Sequence, residues 1–344
     1  MVMITVIVCT YNRSESLAKA LESIAISRVP PSVGWEVLVV DNNSGDRTKQ
    51  IVEELCDRYA GRIRYLFEPR QGKSYALNTG IQHSRGDVLA FADDDAIVAG
   101  DWLWNLTASL RDESCSGAGG RIIPTWTRPL PRWLSADDPH TVGPFVAFDE
   151  GPEAGPLTRA PYGANMAFRR EVFEKYGGFR TDLGPQPGNE IRCEDVEFAQ
   201  RLLDGSEHLR YEPSAVVYHP VPENRLTKQF MRKWWFWSGY SEILQSGLRS
   251  DGGWRIRAVP LYLLRRITRW TLQWMISVRP ARRFYCELNI CYIAGIIRSY
   301  NKFRRTTNTR VPAAHASDAS IANQSFSQKD QWCGPDKRDP LVDG

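Results

Sequence analysis

Over its first hundred residues the chain alternates short, β-branched apolar runs with longer amphipathic segments, and this rhythm limits the fold more than any other feature. Residues 4–9, 36–40, 63–67 and 87–92 read as strands, and residues 14–26, 46–59 and 73–84 read as helices. Such alternation builds β-α-β units, with helices on both faces of a mostly parallel sheet. Thr5-Val6-Ile7-Val8 and Val37-Leu38-Val39-Val40 carry almost no polar residue, the pattern of strands buried on both sides. An α/β fold is therefore expected.

A polar cluster follows each strand at once: Thr10-Tyr11-Asn12, Asp41-Asn42-Asn43, Glu68-Pro69-Arg70 and Asp93-Asp94-Asp95. In open parallel sheets, ligands bind outside the carboxyl ends of the strands, so the four clusters are expected to converge on one crevice. Residues 125–188 are rich in Pro and Gly and should line that crevice as loops.

The aspartate triplet is the strongest chemical signal. Like charges so close repel, and a bound divalent cation removes the cost. Oxygen ligands suit Mg²⁺ or Mn²⁺, with substrate phosphates completing the shell; a solvated acidic turn is the plain alternative. A second acidic pair, Glu194-Asp195, opens a segment whose Val196, Phe198, Ala199, Leu202 and Leu203 have helical spacing. In a helix's first turn both carboxyls are expected to be ionised, as a general base must be, although such acids also serve simply as caps. Between the two lies Gly163-Ala164-Asn165, a loop whose backbone could approach a sugar, feeding a short apolar strand. His219, after Ala215-Val216-Val217-Tyr218, is either a metal ligand or a packed core histidine. Two phosphate loops are excluded: Gly72-Lys73-Ser74 has Phe67 where a P-loop needs its first glycine, and the Gly117–Gly120 run has Ile122 where a dinucleotide fingerprint needs its last.

Taken in order, Val6-Ile7-Val8-Cys9-Thr10-Tyr11-Asn12-Arg13, Val39-Val40-Asp41-Asn42-Asn43-Ser44, the segment from Arg70 to Ile81, Asp93-Asp94-Asp95, Gly163-Ala164-Asn165-Met166 and Glu194-Asp195 resemble the family-two glycosyltransferases of the GT-A fold. The resemblance spans roughly residues 2–225. It implies a catalytic domain over 1–224, with a nucleotide-binding half (1–123) and an acceptor half (124–224), followed by a helical C-terminal module. It also implies an inverting transfer from a nucleotide-sugar, a UDP-sugar first among donors, to a saccharide or lipid-linked acceptor in surface-polysaccharide assembly. Thr10, Tyr11, Asn12, Arg13, Asp41, Arg70 and Lys73 would hold the nucleotide-sugar, with Asp93 or Asp94 on the ribose. Asp95 and His219 would bind Mn²⁺ or Mg²⁺, Asp195 would be the base, Glu194 would orient the acceptor, and Gly163, Ala164 and Asn165 would form the sugar loop. A polyprenyl-phosphate sugar transferase, a nucleotidyltransferase and a non-catalytic nucleotide-sugar-binding protein stand as alternatives.

The net charge of +4 hides a division. Residues 1–224 hold 23 Lys and Arg against 32 Asp and Glu, a balance of −9; residues 225–310 hold 18 against 3, or +15, with six of the twelve tryptophans. Val259, Leu263, Ile267, Trp270 and Trp274 fall on one face of a helix, with Arg257, Arg265, Arg266 and Arg269 off it. That stripe is expected either to enter a membrane interface, making 225–305 a peripheral membrane contact, or to pack on the catalytic domain with the arginines merely solvated. Nucleic acid is not expected, because no recognition motif accompanies the charge.

The longest late uncharged run, residues 288–297, is ten residues, well short of the roughly 20 that a spanning helix needs. The seven cysteines form no C-x-x-C pair, and residues 1–10 lack a basic region and cleavage site, so the expected setting is cytoplasmic, peripheral at most on the inner membrane face. From residue 306 the low apolar content predicts a flexible tail.

Overall fold

The computed structural model describes residues 3–59, 61–134, 139–247, 255–256 and 259–307. The chain divides into two compact units, one running to Met231 and one from Arg232 onward.

The first unit begins with β1 (Met3–Thr10), α1 (Ser14–Ala25), β2 (Gly34–Asp41), α2 (Thr48–Arg58), β3 (Ile63–Phe67), α3 (Lys73–His83) and β4 (Val88–Asp93). All seven lie within a few residues of the expected ranges. Strand order is β3-β2-β1-β4, every pair parallel. Alternate side chains of these strands enter two different cores, as a period of two requires. Val6, Val8, Val37, Val39 and Ala90 face Leu17, Leu21, Ile24, Val52 and Leu55 of α1 and α2. Ile7, Leu38, Val40, Leu89 and Phe91 face the other way, toward Ala76 and Leu77 of α3. Gly80 lets α3 lie close to the sheet: a Cβ there would come 2.7 Å from Ile7 Cγ2.

The second half of this unit adds β5 (Ile97–Val98), α4 (Trp102–Leu106), β6 (Gly117–Thr125), α5 (Pro139–Val142), β7 (Gly155–Pro156), β8 (Met166–Arg169), α6 (Arg170–Tyr176), α7 (Glu194–Asp204) and β9 (Leu209–Pro220). The sheet continues as β4-β8-β6-β9-β5, with β8 antiparallel to both neighbours, β6 parallel to β9, and β7 on β9. Phe91, Phe168, Phe173, Phe179 and Phe198 form one aromatic cluster in which Phe173 stacks on Phe198 at 4.7 Å. This cluster, with Leu202, clamps α7 onto the sheet and so sets where its first turn points.

Helix α8 (Lys228–Ser246) contains the division between units. The second unit continues with the short pair β10 (Arg255–Ile256) and β11 (Val259–Pro260), then α9 (Leu261–Ile276) and α10 (Pro280–Thr307). Here the tryptophan stripe packs within its own unit, which neither expectation named. Leu263 is buried, Trp270 meets the ring of Tyr285 at 5.3 Å, and Trp274 Nε1 donates to Glu287 Oε1 at 3.0 Å, both partners on α10. The stripe is therefore a seam between α9 and α10. Helix α10 runs to Thr307, past the residue at which the tail was expected to begin; the rest of that expected tail, residues 308–344, lies outside the described residues.

Candidate functional site

Parallel register brings the strand ends to one edge: Thr10 pairs with Asp41, and Cys9 with Asp93. The three aspartates after β4 then diverge. Asp93 Oδ1 accepts from Lys73 Nζ at 3.0 Å. Asp94 turns inward, accepting from Thr10 Oγ1 at 2.8 Å and from Arg13 Nη1 at 3.0 Å. Asp95 Oδ2 accepts from the same Arg13 nitrogen at 2.9 Å, and its Oδ1 lies 3.3 Å from His219 Nε2.

His219 arrives through the antiparallel pair β5–β9: Ile97 opposes Tyr218, so one more step of register carries His219 to the turn holding Asp95. Asp93, Asp95 and His219 offer ligand atoms all within 4.8 Å of one another. Asp95 Oδ1 and His219 Nδ1 are buried without a hydrogen-bond partner among the described residues. Two carboxylates and an imidazole, one oxygen of them orphaned, fit a divalent cation that accepts oxygen and nitrogen donors. The sequence reading paired Asp95 with His219 alone; the structure adds Asp93 to that group.

Electrostatics separate the three acids. Burial raises Asp94 to about 6, against the opposing pull of Arg13. Burial works on Asp95 too, but His219, Arg13 and Arg225 outweigh it and hold its carboxyl well below the usual range. Asp94 has both oxygens bonded and its side chain buried, while the side chain of Asp93 is 23% exposed.

Helix α7 delivers the second acidic pair to the same place. Asp195 Oδ2 accepts from the Gly163 N–H at 2.6 Å, so the glycine loop and the helix start are tied together. Glu194 is buried 3.3 Å from Lys73 Nζ, and burial raises its carboxyl despite the lysine. At Glu194 desolvation therefore works against the helix dipole, which the first-turn position alone did not foresee. Lys73 bridges the two acidic groups: burial opposes its charge, but Asp93, Glu194 and Asp195 hold its pKa well above the ordinary value. Cys9, Lys73, Asp93, Gly163, Glu194 and Asp195 line one small cleft.

Other expected residues take different positions. Asn165 is wholly buried: its Oδ1 accepts from Trp102 Nε1, and its Nδ2 donates to the carbonyls of Arg121 and Ala215. Its polar atoms are used in joining α4, β6 and β9, and Ala164 beside it is buried as well. Thr10 and Asp41 are also buried, Asp41 accepting from Ser44 N–H and the Tyr65 hydroxyl. Tyr11 is exposed at the end of β1, and Asn12, at φ 52°, pins the next strand end by accepting from Gly45 N–H. Arg70 leans on Glu68, with 2.8 and 2.9 Å bonds to its two oxygens, while most of its side chain stays in solvent.

Arg225 was missed. Counted with the basic segment, it instead ends 4.0 Å from Asp95 Oδ2 in the first unit, and no periodicity in Pro222-Glu223-Asn224-Arg225 signals it.

A profile described as Glycosyl transferase family 2 matches residues 5–177. Succinoglycan biosynthesis protein ExoM of Rhizobium meliloti (strain 1021) is 33% identical over 233 residues, covering 67% of this chain and 71% of its own. Glucosyl-dolichyl phosphate glucuronosyltransferase of Haloferax volcanii is 28% identical over 246 residues, or 70% and 76% of the two chains. Among solved structures, mannosyltransferase PcManGT from Pyrobaculum calidifontis, in complex with GDP-Man and Mn2+, shares the fold with a TM-score of 0.58, at 21% identity and over 86% of each chain.

Proposed function

The chain belongs to glycosyl transferase family 2, and from that premise we propose that it moves a sugar from a nucleoside diphosphate to an acceptor hydroxyl by a single inverting displacement. The observation that carries this reading is the meeting of Asp93, at the end of β4, with Asp195, at the start of α7, around one cleft bridged by Lys73. One strand end thus brings acids suited to a diphosphate and its cation, and one helix start brings an acid suited to an acceptor.

In this mechanism Asp93, Asp95 and His219 would hold a divalent cation, Mn²⁺ or Mg²⁺, whose charge would offset the negative charge growing on the departing diphosphate. Asp195 takes the proton of the acceptor hydroxyl as that oxygen attacks the anomeric carbon, its carboxylate held in place by two backbone donors, the Gly163 N–H on Oδ2 at 2.6 Å and the Val196 N–H on Oδ1 at 2.8 Å. Glu194 and Lys73 act through position: the ammonium screens the acids from one another and holds Glu194 behind Asp195. No covalent sugar intermediate is needed, so one carboxylate suffices as base. Tyr11, exposed beside the strand ends, is placed to meet the nucleotide.

The donor is proposed to be a UDP-sugar. The acceptor is proposed to be a saccharide or lipid-linked saccharide in surface-polysaccharide assembly, a reading supported by similarity to a succinoglycan biosynthesis protein and to a glucosyl-dolichyl phosphate glucuronosyltransferase. Asp195→Asn tests the assignment: transfer should fall about 10²- to 10⁴-fold while nucleotide-sugar binding, read by thermal shift with Mn²⁺, is kept. Near-normal turnover by that variant would remove Asp195 from the role. Proton NMR of the product's anomeric centre reads inversion directly.

A further inference from the structure

In the second unit, with the Leu263, Trp270 and Trp274 face of α9 packed on α10, a second apolar face of the same helix is left outward. Leu272 is 52% exposed, Met275 56% and Ile276 78%, at the i, i+3, i+4 spacing that puts them side by side. Ile256, before the helix, is 57% exposed, and Val278, just after it, 93%. Together with Leu261 and Leu264, Ile256, Leu272 and Ile276 line an open groove into which Arg265 and Arg269 also project. Both arginines are exposed, and neither makes an ion pair among the described residues. α9 itself has no carboxylate, and the segment 225–310 has only Glu242, Asp251 and Glu287 against its 18 basic residues.

We infer that this outward face of α9 is a docking surface for an anionic lipid bilayer, its aliphatic side chains entering the headgroup boundary and Arg265 and Arg269 lying on the headgroups. Large aliphatic residues this exposed are costly in water and favour an apolar phase, while flanking arginines favour a negative one; the two demands meet at an anionic membrane surface. A second copy of the chain would satisfy the first demand but set arginine against arginine, a like-charge contact. Nucleic acid would satisfy the second and leave Leu272, Met275 and Ile276 in water. The helix lies on the surface without crossing, since no described helix is long and apolar enough to span a membrane. The inference is independent of the chemistry assigned to the cleft.

The test is co-sedimentation of the full chain with phosphatidylcholine vesicles and with vesicles that also contain phosphatidylglycerol. Partitioning onto the anionic vesicles at low salt, weakened by added salt, is expected. Arg265→Gln with Arg269→Gln should lower it about 25-fold, at about fivefold per basic side chain, and should leave the residual binding to neutral vesicles unchanged. Leu272→Glu, Met275→Glu and Ile276→Glu together should lower it at least about 100-fold on either vesicle, with circular dichroism unchanged because all three are surface residues. The inference fails if the wild type ignores anionic vesicles at low salt, or if the triple variant binds as the wild type does. A dimer in sedimentation velocity that the triple variant abolishes, without vesicle binding, assigns the face to a second copy instead.

Discussion

The two units use charge in opposite ways. Around the strand ends of the first, acids and bases are gathered inward and nearly every one has a partner: Lys73 lies between Asp93 and Glu194, Arg13 between Asp94 and Asp95, and Glu68 against Arg70. On α9 the arginines face outward beside exposed aliphatic residues, with no acid on the helix. Desolvated charge must be paired to be tolerated, and once paired it is held in place, which is what a catalytic cleft requires. Solvated charge needs no partner and keeps its freedom to meet one, which is what a docking surface requires. The comparison teaches that the +4 total is the sum of one internal and one external use of charge.

The contrast breaks most sharply with core residues. Phe198→Ala, which removes the ring stacked on Phe173 beneath α7, should cost about 3–5 kcal/mol in urea unfolding. Leu272→Ala on the outward face of α9 should stay within about 0.5 kcal/mol, because its side chain is half exposed already. Comparable losses from the two would mean that the α9 face is covered in the folded protein.

Next in size is the polar core. Asn165→Ala strands the Trp102 Nε1–H and two carbonyls, and leaving such groups buried and unsatisfied costs about 1–3 kcal/mol. Activity of the folded variant under saturating nucleotide-sugar should be near normal if Asn165 only joins α4, β6 and β9. A loss of turnover with stability intact would return it to the sugar loop.

The smallest effect expected is electrostatic. Hydrogen bonds from Arg70 and, against the cost of burial, from Thr79 hold Glu68 at about 2, below the ordinary 4.5. The folded state therefore binds fewer protons than the unfolded chain, and Glu68 stabilises above pH 4.5 with that contribution lost as pH falls toward 2. Glu68→Gln should be less stable than wild type at neutral pH, the two curves converging in acid. Parallel curves would show that the ion pair is too solvated to matter, which Arg70's exposure makes the competing outcome.

Much of this architecture could be read along the chain. The first seven elements, their parallel order of burial and the arrival of four polar clusters at strand ends all follow from a period of two meeting a period near 3.6. The Asp93–Asp95 triplet and Glu194-Asp195 could be picked out because one follows an apolar strand and the other opens a helical pattern, although a solvated turn or a helix cap would give the same residues. Asn165 and Arg225 were not legible: which amide is buried, and which arginine folds back on an acid, depends on β9 and the turn after it, far away in sequence.

What the amino-acid order determined by itself is therefore the sheet, its two-sided helices and the list of acids, since local periodicity and strand-end position are properties of short segments. Only the tertiary structure decided that Asp94 faces inward while Asp93 joins Asp95 and His219. It also decided that the tryptophan stripe of α9 is a seam and Leu272, Met275 and Ile276 are the open face. Periodicity says which side chains share a face, but what covers that face is fixed by contacts between distant segments, and burial, charge and availability all follow from the cover.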